Sequence, residues 1–139
     1  MKRFAISLIA FALAGSAYAQ FTPQAQARRD ARSLGYTRVA DAREAVPKLP
    51  GAKVTHPDGW TVVTVQQPEI AVWSFVPEGH EAYPAVVRRL VRKSDKGTFL
   101  EMKVLCEAKK DACQRLTAEF QRMTAQMQKA MQARTAQKP

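Results

Sequence analysis

The sequence predicts an α+β domain: a four-stranded antiparallel sheet covered on one face by a long C-terminal helix, plus a short N-terminal helix. Three observations carry that expectation. Four runs rich in β-branched and aromatic residues lie between Trp60 and Cys106, separated by short stretches of turn formers. From Lys109 to Gln137 there is no Gly or Pro, and the good helix formers Ala, Gln, Lys, Arg, Met and Leu dominate. The two cysteines, Cys106 and Cys113, sit where the last run hands over to that stretch.

The chain opens on a different kind of segment. Lys2 and Arg3 give a positive start, Phe4 to Ala14 is apolar but for Ser7, and Ala17-Tyr18-Ala19 is a small-x-small cleavage site before Gln20. Those parts in that order read as a secretory signal peptide over residues 1–19. The apolar run is too short for a bilayer span, which takes ~20 residues. Cleavage after Ala19 would leave 120 residues, enough for one modest core. No Cys stands at the cleavage site for lipid attachment. The expected location is the periplasm, or outside the cell. The full chain has a formal charge of +10; losing Lys2 and Arg3 leaves 20 basic and 12 acidic side chains, a net +8.

Residues 20–56 form the less regular part. Thr22-Pro23 is a good helix start, a hydroxyl cap followed by proline in the first turn. Gln24 to Leu34 holds no breaker, and Gly35 is a natural stop. Leu34 is the one large apolar residue there, so this helix can bury little. Asp41-Ala-Arg-Glu44 has capping-box spacing and suggests a short helical turn. Val46 to Gly51, with two prolines, reads as a loop.

Residues 57–139 form the α+β domain. Pro57-Asp58-Gly59 is a turn. The strands are Trp60–Val65, Ile70–Val76, Ala85–Lys93 and Thr98–Cys106, and Ser94–Gly97 is a tight hairpin turn. Their short connections imply an antiparallel meander. In the last strand Thr98, Leu100, Met102, Val104 and Cys106 share one face, and Phe99, Glu101, Lys103 and Leu105 the other. In the C-terminal helix Leu116, Phe120, Met123 and Met127 form one apolar stripe that should lie on the sheet. Beyond Met131 the pattern is polar, and the tail is expected to fray.

In an oxidising compartment Cys106 and Cys113 are expected to pair. The spacing does not fit a redox CxxC pair, and no Cys or His nearby completes a zinc site. A loop this small would be stabilised by about 2.5 kcal/mol on the chain-entropy account.

The motifs of catalysis are missing. There is no GxSxG and no Gly-rich phosphate loop, and the acids Asp58, Glu69, Glu78, Glu81 and Asp95 fall in separate turns. The expectation is therefore a protein that is not an enzyme and needs no cofactor. His56 and His80 each stand beside turn residues, outside any ligand spacing. Met123, Met127 and Met131 recur every four residues with Met102 opposite; thioethers suit Cu(I), but the same stripe continues through Leu116 and Phe120 as core.

The segment Val72-Trp-Ser-Phe-Val-Pro-Glu-Gly-His-Glu-Ala-Tyr-Pro-Ala-Val-Val-Arg-Arg89 is the most distinctive. Trp73, Phe75, Tyr83, Arg88 and Arg89 are of the types that protein interfaces favour, although Trp73 and Phe75, two apart, also suit a core face. With Cys106-Glu-Ala and Cys113, this segment resembles small secreted proteobacterial proteins of uncharacterised function, over about residues 55–120. The resemblance implies a compact periplasmic domain with the same staple, and no particular activity.

These readings point to a non-catalytic periplasmic protein that binds another macromolecule of the cell envelope, as an accessory, inhibitor or immunity-type partner. Trp73, Phe75, Tyr83, Arg88 and Arg89 are the expected contact region. One alternative is contact with anionic lipid or cell-wall polymer through basic charge, to which Gln114 to Pro139 contributes five basic residues against Glu119. Another is copper handling through the methionine row. Export sets nucleic acid aside as a partner of the basic charge.

Overall fold

The computed structural model describes residues 34–137. The expected signal peptide and the helix starting at Thr22 lie outside the described residues, save Leu34 at that helix's end. Within them the order is helix α1 (Val39–Ala45), a 3-10 turn (Val46–Lys48), β1 (Lys53–Thr55), a second 3-10 turn (Pro57–Gly59), β2 (Thr61–Val65), β3 (Ala71–Phe75), β4 (Ala85–Ser94), β5 (Gly97–Cys106) and helix α2 (Lys110–Ala136). The sheet order is β1-β2-β3-β4-β5, each neighbouring pair antiparallel.

The fold is α+β with a meander, as expected, but the sheet has five strands rather than four. The additional strand, β1, is three residues long and exposed throughout. It has no apolar alternation to betray it, and it is a strand because Val54 pairs across from Val63 at the sheet's edge. The other four strands begin and end within a residue of their expected limits. At the β4–β5 hairpin Gly97 takes φ 115°, which a side chain would resist. Ser94 Oγ accepts from Lys96 N at 3.2 Å and closes the turn.

Both faces of the sheet carry packed elements, where one was expected to. Strands β3 and β4 explain this, being apolar on both sides, as in strands buried on two faces. Val63, Trp73, Phe75, Val86, Leu90 and Leu105 pack against Leu34, Val39, Ala42 and Val46, so the N-terminal segment covers one face. Tyr36 meets Trp73 edge-on, with ring centroids 5.9 Å apart. On the other face Val76, Ala85, Val87 and Val104 pack against Ala112, Leu116 and Phe120 of α2. The expected stripe of α2 thus lies on the sheet, and the assignment of β5 side chains to its two faces holds. Each large side chain so buried contributes ~1.5–3 kcal/mol.

Two long-range contacts fasten these layers. Glu107, just after β5, accepts from Val39 N at 2.9 Å and satisfies a first-turn donor of α1, whose N-terminal neighbour Arg38 gives no side-chain cap. Gln128 of α2 does the work of a missing strand at the β5 edge. Its Oε1 accepts from Leu100 N at 2.8 Å, and its Nε2 donates to Thr98 O at 3.0 Å. Helix geometry continues through the polar stretch after Met131 as far as Ala136. The Cys106–Cys113 disulfide is formed, joining the end of β5 to the first turn of α2 with Cα atoms 5.8 Å apart.

Candidate functional site

The five expected contact residues do not share one surface. Trp73 and Phe75 are 6% and 0% exposed, both in the core beneath α1. Arg88 and Arg89 are adjacent in β4 and so point to opposite faces. Arg88 lies on the α1 face with its guanidinium 5.5 Å from the centre of the Trp73 ring, and it pairs with Glu101 at 3.4 Å. Glu101 also pairs with Arg92 at 3.3 Å, and Arg92 with Glu69 at 2.8 Å. Burial pulls the Arg88 pKa down, and the acids oppose it. Arg89 lies on the α2 face against Phe120 and Met127. Tyr83 stands apart from both arginines, exposed, in the β3–β4 loop.

Around Tyr83 the fold builds an open cleft of about 680 Å³. Tyr83 and Glu81 come from the β3–β4 loop, Glu107 and Lys109 from the β5–α2 connection, and Asp111 and Arg115 from the first turns of α2. The loop is held by its own hydrogen bonds. Val76 N donates to Ala85 O at 3.0 Å, Tyr83 N to His80 O at 2.9 Å, and Ala82 N to His80 Nδ1 at 3.0 Å. His80 therefore serves as an internal acceptor, with its ring against Trp60. The connection forming the opposite wall is tied to the end of the loop by Glu107 N donating to Pro84 O at 2.9 Å, and the disulfide spans it.

An ion pair crosses the cleft. Arg115 donates from Nε and Nη2 to the two oxygens of Glu81, at 2.8 and 2.7 Å, a fork that ties loop to helix. That hydrogen bonding holds the Glu81 carboxyl below the usual carboxylate range. Arg43, reaching over from α1, donates to Val76 O at 2.9 Å and lies 5.2 Å from the Phe75 ring centre and 5.8 Å from that of Tyr83. Tyr83 OH donates to Glu78 at 3.4 Å. Arg43, Glu81 and Arg115 were not among the expected site residues. Glu81 stands two residues from Tyr83 in the same loop, whereas Arg43 and Arg115 are brought there only by the sheet and the two helices.

The carboxylates beside Tyr83 already have structural partners: Glu81 holds Arg115, and Glu107 accepts from α1. Among the described residues no group of three or more His, Cys, Asp or Glu side chains could hold a metal ion. In the methionine row, Met123 packs on the α2-side core, and Met127 Sδ accepts from Arg89 at 3.1 Å. Met102 Sδ accepts from the buried Thr124 hydroxyl at 3.6 Å. No described helix is long and apolar enough to cross a membrane. No family model, curated protein or solved structure matches the chain.

Proposed function

We propose that this chain is an exported, non-catalytic binding protein that grips a partner protein of the cell envelope through the Tyr83 cleft. The observation that carries the reading is an exposed tyrosine on a hydrogen-bonded loop, set among charged side chains of which Glu81 and Arg115 are ion-paired. A rigid aromatic anchor inside a polar rim is the arrangement that binding hot spots favour. Preorganisation matters as much as composition. Loop, helix start and staple are fixed before a partner arrives, so little ordering cost is left to the binding step. Export supports the reading from the sequence side, through the signal-peptide pattern of residues 1–19 and the cysteine pair. The non-catalytic part rests on the missing catalytic motifs of the sequence and on Glu81 and Glu107, two carboxylates of the cleft that are engaged in holding the fold.

Affinity capture from periplasmic extract tests it. Wild type, Tyr83→Ala and the control Phe99→Ala, which truncates another exposed aromatic, serve as baits. The expected result is one partner recovered by wild type and Phe99→Ala and lost with Tyr83→Ala. Equal recovery by all three would remove Tyr83 from the contact.

A further inference from the structure

Arg89 is placed unlike its neighbours. Arg38, Arg88, Arg92 and Arg115 each face a carboxylate. Arg89 is half-buried on the α2 face of β4, and its Nε is buried without a hydrogen-bond partner among the described residues. Among the described residues its one acceptor is a thioether, Met127 Sδ at 3.1 Å, and its guanidinium lies 5.5 Å from the Phe120 ring centre. Burial lowers its pKa, with no neighbouring acid to oppose the effect. A thioether is a weak acceptor, so a cation taken partly out of water here lacks the partner such groups normally have.

The surroundings say what could supply that partner. Across the ladder from Arg89 stands Val72, and beyond it Thr64; Val62 lies one step along on the same face. All three are partly exposed. Among the described residues helix α2 packs chiefly over β5 and β4, which leaves Val62, Thr64 and Val72 of the β2–β3 half as a largely apolar shelf beside it, bordered by Lys53 across from Thr64, with Phe120 and Met127 as its wall. Ile70, just ahead of β3, is exposed at one end. Both β2 and β3 are interior strands whose backbone groups are used within the sheet. A peptide laid across them would leave its own N–H and C=O groups unpaired, whereas an acyl chain brings none to satisfy.

We propose that this shelf binds a single-chain anionic amphiphile, its chain on Val62, Val72 and Ile70 and its carboxylate or phosphate monoester head on Arg89. Met127, exposed and flexible, moves aside to release the guanidinium. The site is separate from the Tyr83 cleft, so either can fail without the other. The test is titration of the full mature chain with decanoate, decyl phosphate and decanol, followed by calorimetry and by the methyl resonance of Met127. Decanoate or decyl phosphate should bind at least about tenfold more tightly than decanol, the gain expected from a charge-assisted hydrogen bond. The tighter of the two identifies the head. Arg89→Met, which keeps the packing, should remove that preference. Met127→Glu supplies Arg89 with an internal carboxylate, and should raise the melting temperature while abolishing anion binding. Tyr83→Ala should leave it unchanged. Equal affinity for decanol, or unchanged anion affinity in either Arg89→Met or a folded Met127→Glu variant, overturns the proposal.

Discussion

Truncating Phe75 separates a core role from a contact role. The side chain is fully buried, it pairs across the ladder with Thr61 and Val86, and the Arg43 guanidinium lies 5.2 Å from its ring centre. Phe→Ala at such a site costs about 3–5 kcal/mol through lost transfer energy and a residual cavity. Arg43 keeps its bond to Val76 O and the Tyr83 ring, so losing one cation–π contact adds less than about 1 kcal/mol. A total near 4 kcal/mol is a large part of the stability of a domain this size, about 5–15 kcal/mol. The melting temperature should fall by roughly 15–30 °C, at ~4–8 °C per kcal/mol. Thermal unfolding followed by circular dichroism measures it. Phe99→Ala, at a ring that is 44% exposed, is the control and should stay within about 0.5 kcal/mol of wild type. A Phe75→Ala protein melting within about 3 °C of wild type would refute the packing of the sheet beneath α1.

The remaining predictions concern the staple, the cleft and the sheet edge. Reducing Cys106–Cys113, or replacing both residues by Ser, should cost about 2.5 kcal/mol and lower the melting temperature by roughly 10–20 °C; an unchanged melt under reductant would contradict this. Arg115 holds the folded Glu81 pKa below its unfolded value, so the pair's contribution is present at neutral pH and lost as pH falls through the folded pKa. Arg115→Ala should raise the Glu81 midpoint in a carboxyl NMR titration, and an unmoved midpoint would dismiss the fork. Gln128→Ala leaves Leu100 N and Thr98 O without their partner at the β5 edge. The Leu100 amide should then exchange faster in proton–deuterium exchange, with a stability loss of about 1 kcal/mol; unchanged protection would argue against the edge contact.

Where local chemistry decides structure, the sequence was readable. The β-branched runs ending at Val65, Phe75, Ser94 and Cys106, the Ser94–Gly97 turn and the breaker-free α2 all follow from residues close in sequence. The cysteine pairing followed from an even count and an expected oxidising compartment, and the disulfide is formed. Strand β1 was hidden because Lys53, Val54 and Thr55 gain extended geometry from β2 alone. The second core could have been recognised. Trp73, Phe75 and Val76 are apolar on both sides of one strand, and Ala85, Val86 and Val87 on both sides of the next, which calls for cover on each face. Part of that cover comes from the Val39–Val46 region, whose apolar residues are few and separated by Pro47 and charges. The site was legible only at Tyr83. Glu81 shares the Tyr83 loop, but Arg115 reaches Glu81 across 34 residues and Arg43 reaches Val76 across 33, separations over which no sequence period speaks.

Photo-crosslinking in living cells tests the central claim most directly. A photoreactive phenylalanine analogue is placed at position 83, and at position 99 as a control, in the full-length chain. The Tyr83 cleft predicts a discrete adduct with one envelope protein from position 83, none from position 99, and loss of that adduct when unlabelled wild-type chain is expressed in excess. An adduct pattern identical at both positions, or none at position 83 in correctly exported protein, would contradict it.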